Sequence, residues 1–162
     1  MVQGTLLTPE VRNWVGKKSE WWTPPEPVER SEIRRFAEAI MDRNPLYMDD
    51  AYGKRSRYGT RIAPPTLVIR PPYGGEEARG PGERTFAIHV PGARRGVNAG
   101  NEVEIFRPVR PGDVVRQRSR VLEITEREGR SGRMVIIVFE TVFVNQDDKV
   151  LAIGRQTGIR MP

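Results

Sequence analysis

Four long segments rich in β-branched residues fill the second half of this chain, and they restrict its possible folds more than any other feature. They read "NEVEIFRPV", "DVVRQRSRVLEITERE", "GRMVIIVFETVFVNQ" and "KVLAIGRQTGIRM", and turn-forming sequences such as "RPGD", "GRSG" and "NQDD" separate them. Connections this short favour antiparallel neighbours. The sequence therefore predicts a sheet of long antiparallel strands, with the almost wholly apolar "MVIIVFETVFV" as a central strand covered on both faces.

Helical patterns in the first half supply elements that would cover this sheet. "SEIRRFAEAIM" places apolar residues at helical spacing, which predicts an amphipathic helix with Ser31 as its N-cap. "IAPPTLVI" is apolar and opened by two prolines, which predicts a short buried helix starting at Pro65 or Thr66. Between them, "DRNPLYMDDAYGKRSRYGTR" is rich in turn formers and predicts a loop. The predicted class is α+β.

No internal repeat and no linker divides the 162 residues, so 1–162 is predicted to form a single domain. Residues 1–19 are interpreted as an N-terminal lead-in, with a short helix predicted over 8–18. The glycine- and proline-rich "PPYGGEEARGPGER", residues 71–84, predicts a mobile surface loop.

Composition disfavours several functional classes. No run of about 18 apolar residues exists, and no basic segment precedes an apolar one, so neither a membrane span nor a secretory signal is predicted. The absence of cysteine fits a reducing cytoplasm, and with a single histidine it leaves no convincing metal site. The net charge of +6 suits an anionic ligand such as a nucleotide-bearing acyl carrier. The basic residues alternate with acids, which disfavours nucleic acid.

Four segments, taken in order, resemble one family. "VERSEIRRFAEAIMDRNPLY", "YGTRIAPPTLVI", "NEVEIFRPVRPGD" and "EGRSGRMVIIVFETVFVNQDDKVLA" are similar to MaoC-like dehydratases, in particular to the N-terminal type that includes accessory subunits of fatty-acid and steroid-side-chain dehydratases. The resemblance implies a hot-dog fold, in which a long antiparallel sheet wraps around one buried helix. It also implies an acyl thioester of coenzyme A or acyl carrier protein as ligand, without a further cofactor. The implied reaction is reversible hydration of a trans-2-enoyl thioester to the (R)-3-hydroxy form.

The loop after the first helix matches the family's active-site loop except at one position. In the active members of the family that this chain resembles, the loop contains an Asp, then Asn-Pro, then a His at the fifth position after the Asp. The Asp and the His hold the attacking water. Asp42, Asn44 and Pro45 match this pattern, but Tyr47 stands where the histidine is expected. Tyrosine, with a reference pKa of about 10, is a poor base at neutral pH. Asp42 is the candidate catalytic residue and Asn44 a candidate substrate-binding residue, while a turn role for Asp42 and a packing role for Tyr47 stay open.

A second departure stands at the start of the predicted buried helix. In the active members of the family that this chain resembles, the sequence there is similar to Arg-Ile-Ala-His-Gly, and the glycine N–H points at the thioester oxygen. This chain has Pro64 and Pro65 at the last two positions of the motif. Proline has no N–H, so the resemblance implies that Pro65 removes that donor. Pro65 and Thr66 are candidate substrate-binding residues. His89, the only histidine, lies in "FAIHVPG", which predicts a strand away from the motif and no catalytic role.

These departures predict a non-catalytic or weakly catalytic subunit of a heteromeric hydratase, paired edge to edge with an active MaoC-like partner as a dimer or higher assembly. A self-sufficient hydratase that uses Asp42, and a thioester-binding or assembly protein without turnover, are the alternatives. A thioesterase is a weaker one, because no base lies near the predicted buried helix. Arg107 and Arg110 flank a turn, where the interpretations are solvated charges or contacts to a coenzyme phosphate.

Overall fold

A four-stranded antiparallel sheet dominates the computed structural model, which describes residues 5–69, 86–129 and 132–162. The strands are β1 (Arg95–Ile105), β2 (Arg116–Gly129), β3 (Gly132–Val144) and β4 (Val150–Met161), in the order β1-β4-β3-β2. All neighbouring pairs are antiparallel. The four predicted strands are therefore confirmed, and β3 lies inside the sheet between β2 and β4 as predicted.

Within the described residues, only one face of β3 is fully buried. Its residues alternate between buried and half-buried positions from Met134 to Val142. Val135, Ile137 and Phe139 are no more than 1% exposed on the core face, whereas alternate residues face outward. The prediction that β3 is covered on both faces is therefore wrong for this chain alone. The apolar run supplies residues to both faces of the strand, but only the core face is fully buried.

A row of alternating charges crosses the outer face of the sheet, with one residue on each strand. Arg120 of β2 pairs with Glu140 of β3 at 2.6 Å, and Arg155 of β4 pairs with the other oxygen of Glu140 at 3.0 Å. Glu102 of β1 lies 3.9 Å from Arg155 and completes the row. The Glu140 side chain is only 14% exposed, so this carboxylate depends on both arginines for its pairing.

The N-terminal lead-in contains a shorter helix than predicted. Helix α1 spans Pro9–Arg12, with Thr8 as its N-cap, rather than 8–18. The chain then turns toward β2, where the Gly16 N–H donates to Val121 O at 2.8 Å and the Ser19 N–H donates to Ser119 O at 2.9 Å. Because these backbone groups bond to a strand, the helix cannot continue. The lead-in therefore lies along the β2 edge of the sheet.

Helix α2 spans Arg30–Ala39 and packs on the core through Ile33 and Ala37, both 0% exposed. It begins two residues earlier than the predicted N-cap implies, with Glu29 instead of Ser31 at the N-cap position. Ser31 lies inside the helix and its hydroxyl donates to the Glu29 carboxylate at 2.8 Å, so its prediction as N-cap is wrong.

The predicted loop after α2 contains two short helices, α3 (Pro45–Met48) and α4 (Asp50–Arg55). A 3₁₀ helix follows at Pro65–Ile69, and it starts at one of the two residues predicted for the buried helix. Leu67 and Val68 of this helix are buried. The segment 71–84, predicted as a mobile loop, lies outside the described residues. Along the described chain, no helix is long and apolar enough to cross a membrane.

Two hydrophobic clusters share the interior. The first, the site cluster, surrounds α2, α3 and the 3₁₀ helix, and its buried members are Val28, Ile33, Ala37, Tyr47, Ile62, Ala63, Leu67, Val68, Val109, Val115, Phe143, Leu151 and Ala152. The second, the lead-in cluster, joins the N-terminal segment to β2 and β3 through Leu6, Leu7, Val11, Phe86, Val90, Val121, Ile124, Val135, Ile137 and Phe139. Among the residues that the structure describes, no buried residue belongs to both clusters.

Candidate functional site

Asp42 lies at the end of α2, where the helix turns into the candidate site. Met41 adopts a left-handed φ of 57°, and the Asp42 N–H donates back to Ala37 O at 2.9 Å, which closes the helix. Oδ1 of Asp42 accepts the Asn44 N–H at 3.0 Å. Oδ2 has no hydrogen-bond partner within the described residues. The carboxylate therefore shapes the turn with one oxygen and leaves the other available.

Asn44 caps the next helix. Its side-chain oxygen accepts the Leu46 N–H at 3.0 Å, and Pro45 occupies the first turn of α3, where a missing N–H has no cost. The Asn-Pro pair thus fixes where α3 begins. It also sets the direction of Tyr47 relative to Asp42. The predicted substrate contact of Asn44 stays a prediction, with its amide nitrogen as the group still free of the cap.

Tyr47 lies inside the site cluster at 8% exposure. Burial raises the pKa of its phenol, and the negative charges of Asp42 and of an ionised Tyr58 raise it further. Tyr58 packs against the site cluster that contains Tyr47. The phenol is therefore neutral across the physiological pH range, where it can donate a hydrogen bond but cannot take a proton from water.

The Arg61 side chain binds this loop through one hydrogen bond and one ion pair. Its side chain is 10% exposed, Nη2 donates to Met48 O at 2.8 Å, and Nε lies 3.2 Å from Asp50 Oδ1, too poorly angled for a hydrogen bond. Arg30 of α2 pairs with the same Asp50 carboxylate. The chain thereby ties the start of α2, the junction of α3 and α4, and the segment before the 3₁₀ helix together around one carboxylate.

The segment before the 3₁₀ helix passes between the site loop and the sheet side of the core. The Ile62 N–H donates to Leu46 O at 3.1 Å, and the Ala63 N–H donates to Val109 O at 2.8 Å. Pro64 is fully buried, whereas Pro65 and Thr66 are exposed. Pro65 therefore faces outward beside the loop without an N–H to offer, and its substrate role, like that of Thr66, stays a prediction.

The remaining candidates lie elsewhere. His89 is exposed in a segment between Phe86 and Val90 of the lead-in cluster, away from Tyr47. That segment is not a strand, so the strand predicted over "FAIHVPG" is wrong: its apolar side chains anchor in the lead-in cluster without sheet hydrogen bonds. Arg107 donates to Val150 O at 2.9 Å, and Arg110 is exposed. Where the structure describes the chain, no group of three acidic, histidine or cysteine residues could hold a metal.

Sequence reasoning missed Tyr58, Arg61 and Gly53. Gly53 of α4 lies so close to the segment at 60–61 that a Cβ would be 2.5 Å from the Arg61 nitrogen. Its φ is not positive, so the glycine is required by close approach rather than by a turn. The pattern "YGKR" gave no sign of this contact, because the contact arises when the chain after α4 folds back against the helix.

A single α+β domain with one long antiparallel sheet and its small helices on one side defines a hot-dog protein. Residues 13–153 match the family model described as "FAS1-like, dehydratase domain region". The chain belongs to this family. It is also 36% identical over 121 residues to a UPF0336 protein of Thermobifida fusca, an alignment that covers 73% of this chain and 74% of the relative.

Solved structures confirm the fold. The ChsH1-ChsH2 complex from Mycobacterium tuberculosis matches with a TM-score of 0.72 and 19% identity, over 94% of this chain and 92% of that one. The HadBC (3R-hydroxyacyl-ACP dehydratase) complex from the same organism matches with a TM-score of 0.63 and 21% identity, over 87% and 95%. Likeness at this level of identity establishes the shared architecture.

Proposed function

We propose that this chain is the accessory subunit of a heteromeric (R)-specific 2-enoyl thioester hydratase, equally a 3-hydroxyacyl thioester dehydratase in the reverse direction. The substrate is a thioester of coenzyme A or acyl carrier protein, and no further cofactor takes part. A catalytic MaoC-like partner supplies the Asp and His that activate water. The observation that carries the proposal is Tyr47, a buried phenol with a raised pKa at the position of the expected base.

The chemistry explains why this substitution matters. Addition of water to a conjugated thioester requires a base beside the water and hydrogen-bond donors at the thioester oxygen, where negative charge develops. Tyr47 retains its proton at neutral pH, so it cannot serve as the base. Asp42 alone lacks the histidine that would hold the water with it. Loss of the base therefore predicts a large drop in turnover for the isolated chain.

Pro65 weakens the second requirement. The position that resembles the family's oxyanion donor carries a proline, which has no N–H to direct at the thioester oxygen. Removal of one such donor costs about 10²–10³ in rate. Since the base and the donor are replaced together, the chain is better suited to shaping a substrate channel than to catalysis.

The partner is expected at β1. This strand forms an edge of the sheet, and ten of its eleven residues are exposed. Large apolar side chains lie open on it or directly after it, namely Val97, Ile105 and Phe106. An unpaired, partly apolar edge favours pairing with another strand. Heteromeric relatives of the same fold, ChsH1-ChsH2 and HadBC, support a second hot-dog subunit as the occupant. We place this assembly in the cytoplasm, as the cysteine-free sequence predicts.

The decisive experiment measures the loss of enoyl-thioester absorbance with crotonyl-type substrates. The purified chain alone is expected to hydrate them near the blank rate. In the complex with its partner, Asp42→Ala is expected to leave turnover largely intact, whereas substitution of the partner's own Asp or His abolishes it. Asp49→Ala serves as the matched control, because it removes another carboxylate that accepts backbone N–H groups, those of Ala51 and Tyr52 at the start of α4.

A self-sufficient hydratase that uses Asp42 is the second candidate, and the available Oδ2 beside Tyr47 favours it. Robust turnover by the isolated chain that Asp42→Ala abolishes would establish it and refute the accessory role. Turnover that depends on Tyr47 instead would show that the phenol acts in the reaction. A chain that binds thioester but adds nothing to the partner's turnover would be an assembly protein.

A further inference from the structure

A cationic cavity opens beside the candidate site, and the proposed accessory function assigns it no role. Its volume is about 470 Å³, and it is lined by Leu46, Tyr52, Arg55, Ser56, Arg57 and Tyr58. Leu46 directly precedes Tyr47 in α3. Leu46 and Tyr58 both pack against the site cluster that contains Tyr47. The cavity and the candidate site therefore share a wall.

Ser56 fixes the turn between the two arginines, with Arg55 at the end of α4 and Arg57 directly after the turn residue. Its hydroxyl donates to Gly53 O at 2.7 Å and accepts the Tyr58 N–H at 3.2 Å. This turn holds the chain after α4 in one conformation, so that the residues on either side of Ser56 both line the cavity. The turn thus holds the Cα atoms of both arginines next to the cavity, although both side chains are exposed to solvent.

Neither arginine is neutralised by an acidic side chain at ion-pair distance within the described residues. Arg57 Nη2 donates to the Tyr58 hydroxyl at 2.6 Å, and its guanidinium stacks over the Tyr58 ring at 4.8 Å. That contact orients the guanidinium and leaves its other N–H groups unused. Arg55 acts at longer range on the Asp49 carboxylate, whose pKa is lowered mainly by hydrogen bonds from the backbone of Tyr52 and Ala51. Other arginines of the chain, such as Arg120 and Arg155, form ion pairs with carboxylates.

We propose that this cavity binds a phosphate group of a pantetheine-bearing carrier, with Arg55 and Arg57 as its cationic ligands and the tyrosine hydroxyls as additional donors. Two guanidinium groups that line one cavity can donate hydrogen bonds to the oxygens of a phosphate, and the aromatic walls can contact the organic part of the ligand. The identity of the carrier rests on the proposed function, whereas binding of the phosphate does not. A phosphate ester of pantetheine is common to coenzyme A and to acyl carrier protein.

Calorimetric titration of the full chain, alone and with its partner, tests this assignment. The probes are 4′-phosphopantetheine, adenosine 3′,5′-bisphosphate and crotonyl-pantetheine, which has no phosphate. The doubly substituted Arg55→Gln/Arg57→Gln chain is expected to bind at least one phosphate probe about tenfold more weakly than wild type, at low ionic strength, because charge-assisted hydrogen bonds are lost. Crotonyl-pantetheine should bind both proteins equally.

Lys54→Gln is the control matched to the single Arg55→Gln chain, because each removes one positive charge from α4, and Lys54 does not line the cavity. It should leave the affinity for the phosphate probes within about twofold of wild type, as expected for an exposed charge that is screened by solvent. Dependence of 4′-phosphopantetheine on the arginines identifies the shared phosphate, and dependence of the bisphosphate alone identifies the nucleotide of coenzyme A.

Three results overturn the assignment: no binding of either phosphate probe, unchanged affinity in the double variant, or an equal loss in Lys54→Gln. Unfolding of the double variant would be detected by its melting temperature, and the single Arg55→Gln chain, which keeps the Arg57–Tyr58 contact, then gives the answer. If phosphate binding depends on the arginines but the complex hydrates no thioester, the proposed function fails and this assignment stands.

Discussion

Substitution of Gly53 by alanine provides the sharpest test of how the candidate site is held together. A Cβ at this position would lie 2.5 Å from the Arg61 nitrogen, 2.7 Å from the Thr60 carbonyl carbon and 2.9 Å from the Arg61 Cα. All three are backbone atoms, so no side chain can rotate away. Helix α4 and the segment at 60–61 must separate by several tenths of an ångström before the methyl group fits.

The expected cost follows from two opposing effects. Overpacking of this kind destabilises a protein by about 1–3 kcal/mol, and three backbone contacts place Gly53→Ala near the upper end. Alanine in a helix recovers about 1 kcal/mol relative to glycine. The net loss is therefore about 2 kcal/mol. For a chain of this size, that corresponds to a melting temperature lowered by about 4–8 °C.

Thermal unfolding followed by circular dichroism measures this shift, with Gly154→Ala as the control. A Cβ at Gly154 would meet the Phe143 ring at 3.5 Å, an ordinary contact, so its melting temperature should change little. A Gly53→Ala chain that melts with the wild type would refute the close approach of α4 to the Arg61 segment. It would also remove the basis for the Arg61 and Asp50 anchor described above.

Further predictions concern ionisation, the charge row and assembly. Burial raises the pKa of Tyr47 in the folded state above its unfolded value near 10. The stability that Tyr47 contributes is therefore fully present below the unfolded pKa and is lost as the pH rises through the folded pKa. The phenolate absorbance that Tyr47→Phe removes should accordingly titrate above about 10. In urea, Glu140→Gln should destabilise the chain by about 1–2 kcal/mol, because two arginines lose their carboxylate, whereas Glu128→Gln in an exposed pair should have almost no effect. Sedimentation of wild type should show at least a dimer, and Val97→Asp with Ile105→Asp should give monomers; a wild-type monomer of 18.4 kDa with and without partner would contradict pairing at β1.

The sheet could be predicted from sequence because each strand carries its own signal. β-branched residues mark the strands and turn formers separate them, so the observed bounds differ from the predicted segments by a few residues, except where β1 begins earlier at Arg95. The early start of β1 has no apolar signal, since "RGVNAG" is exposed and is held by hydrogen bonds to β4. Burial patterns reveal strands that cover a core, and they reveal exposed edges less well.

The candidate site was predictable in its motif and not in its surroundings. Asn44-Pro45 and Asp49 are helix-start signals, but α3 and α4 span only four and six residues, too few to show helical periodicity. The burial of Arg61 could not be foreseen, because a charged side chain is ordinarily exposed and its partners lie in segments that fold back on it. The cavity formed around Arg55 depends on the same folding back.

The division of the interior into two clusters has a consequence for how such a chain evolves. Tyr47 packs in the site cluster, while Val121 and Phe139 of the lead-in cluster share no buried neighbour with it among the described residues. Free-energy changes from substitutions in the two clusters should therefore add, because neither repacks the other. If a phenol has replaced an imidazole next to Asp42, as we propose, the exchange changes the packing free energy of the site cluster and leaves that of the lead-in cluster unchanged. A lineage can thus abandon the chemistry of a subunit while selection continues to keep its shape.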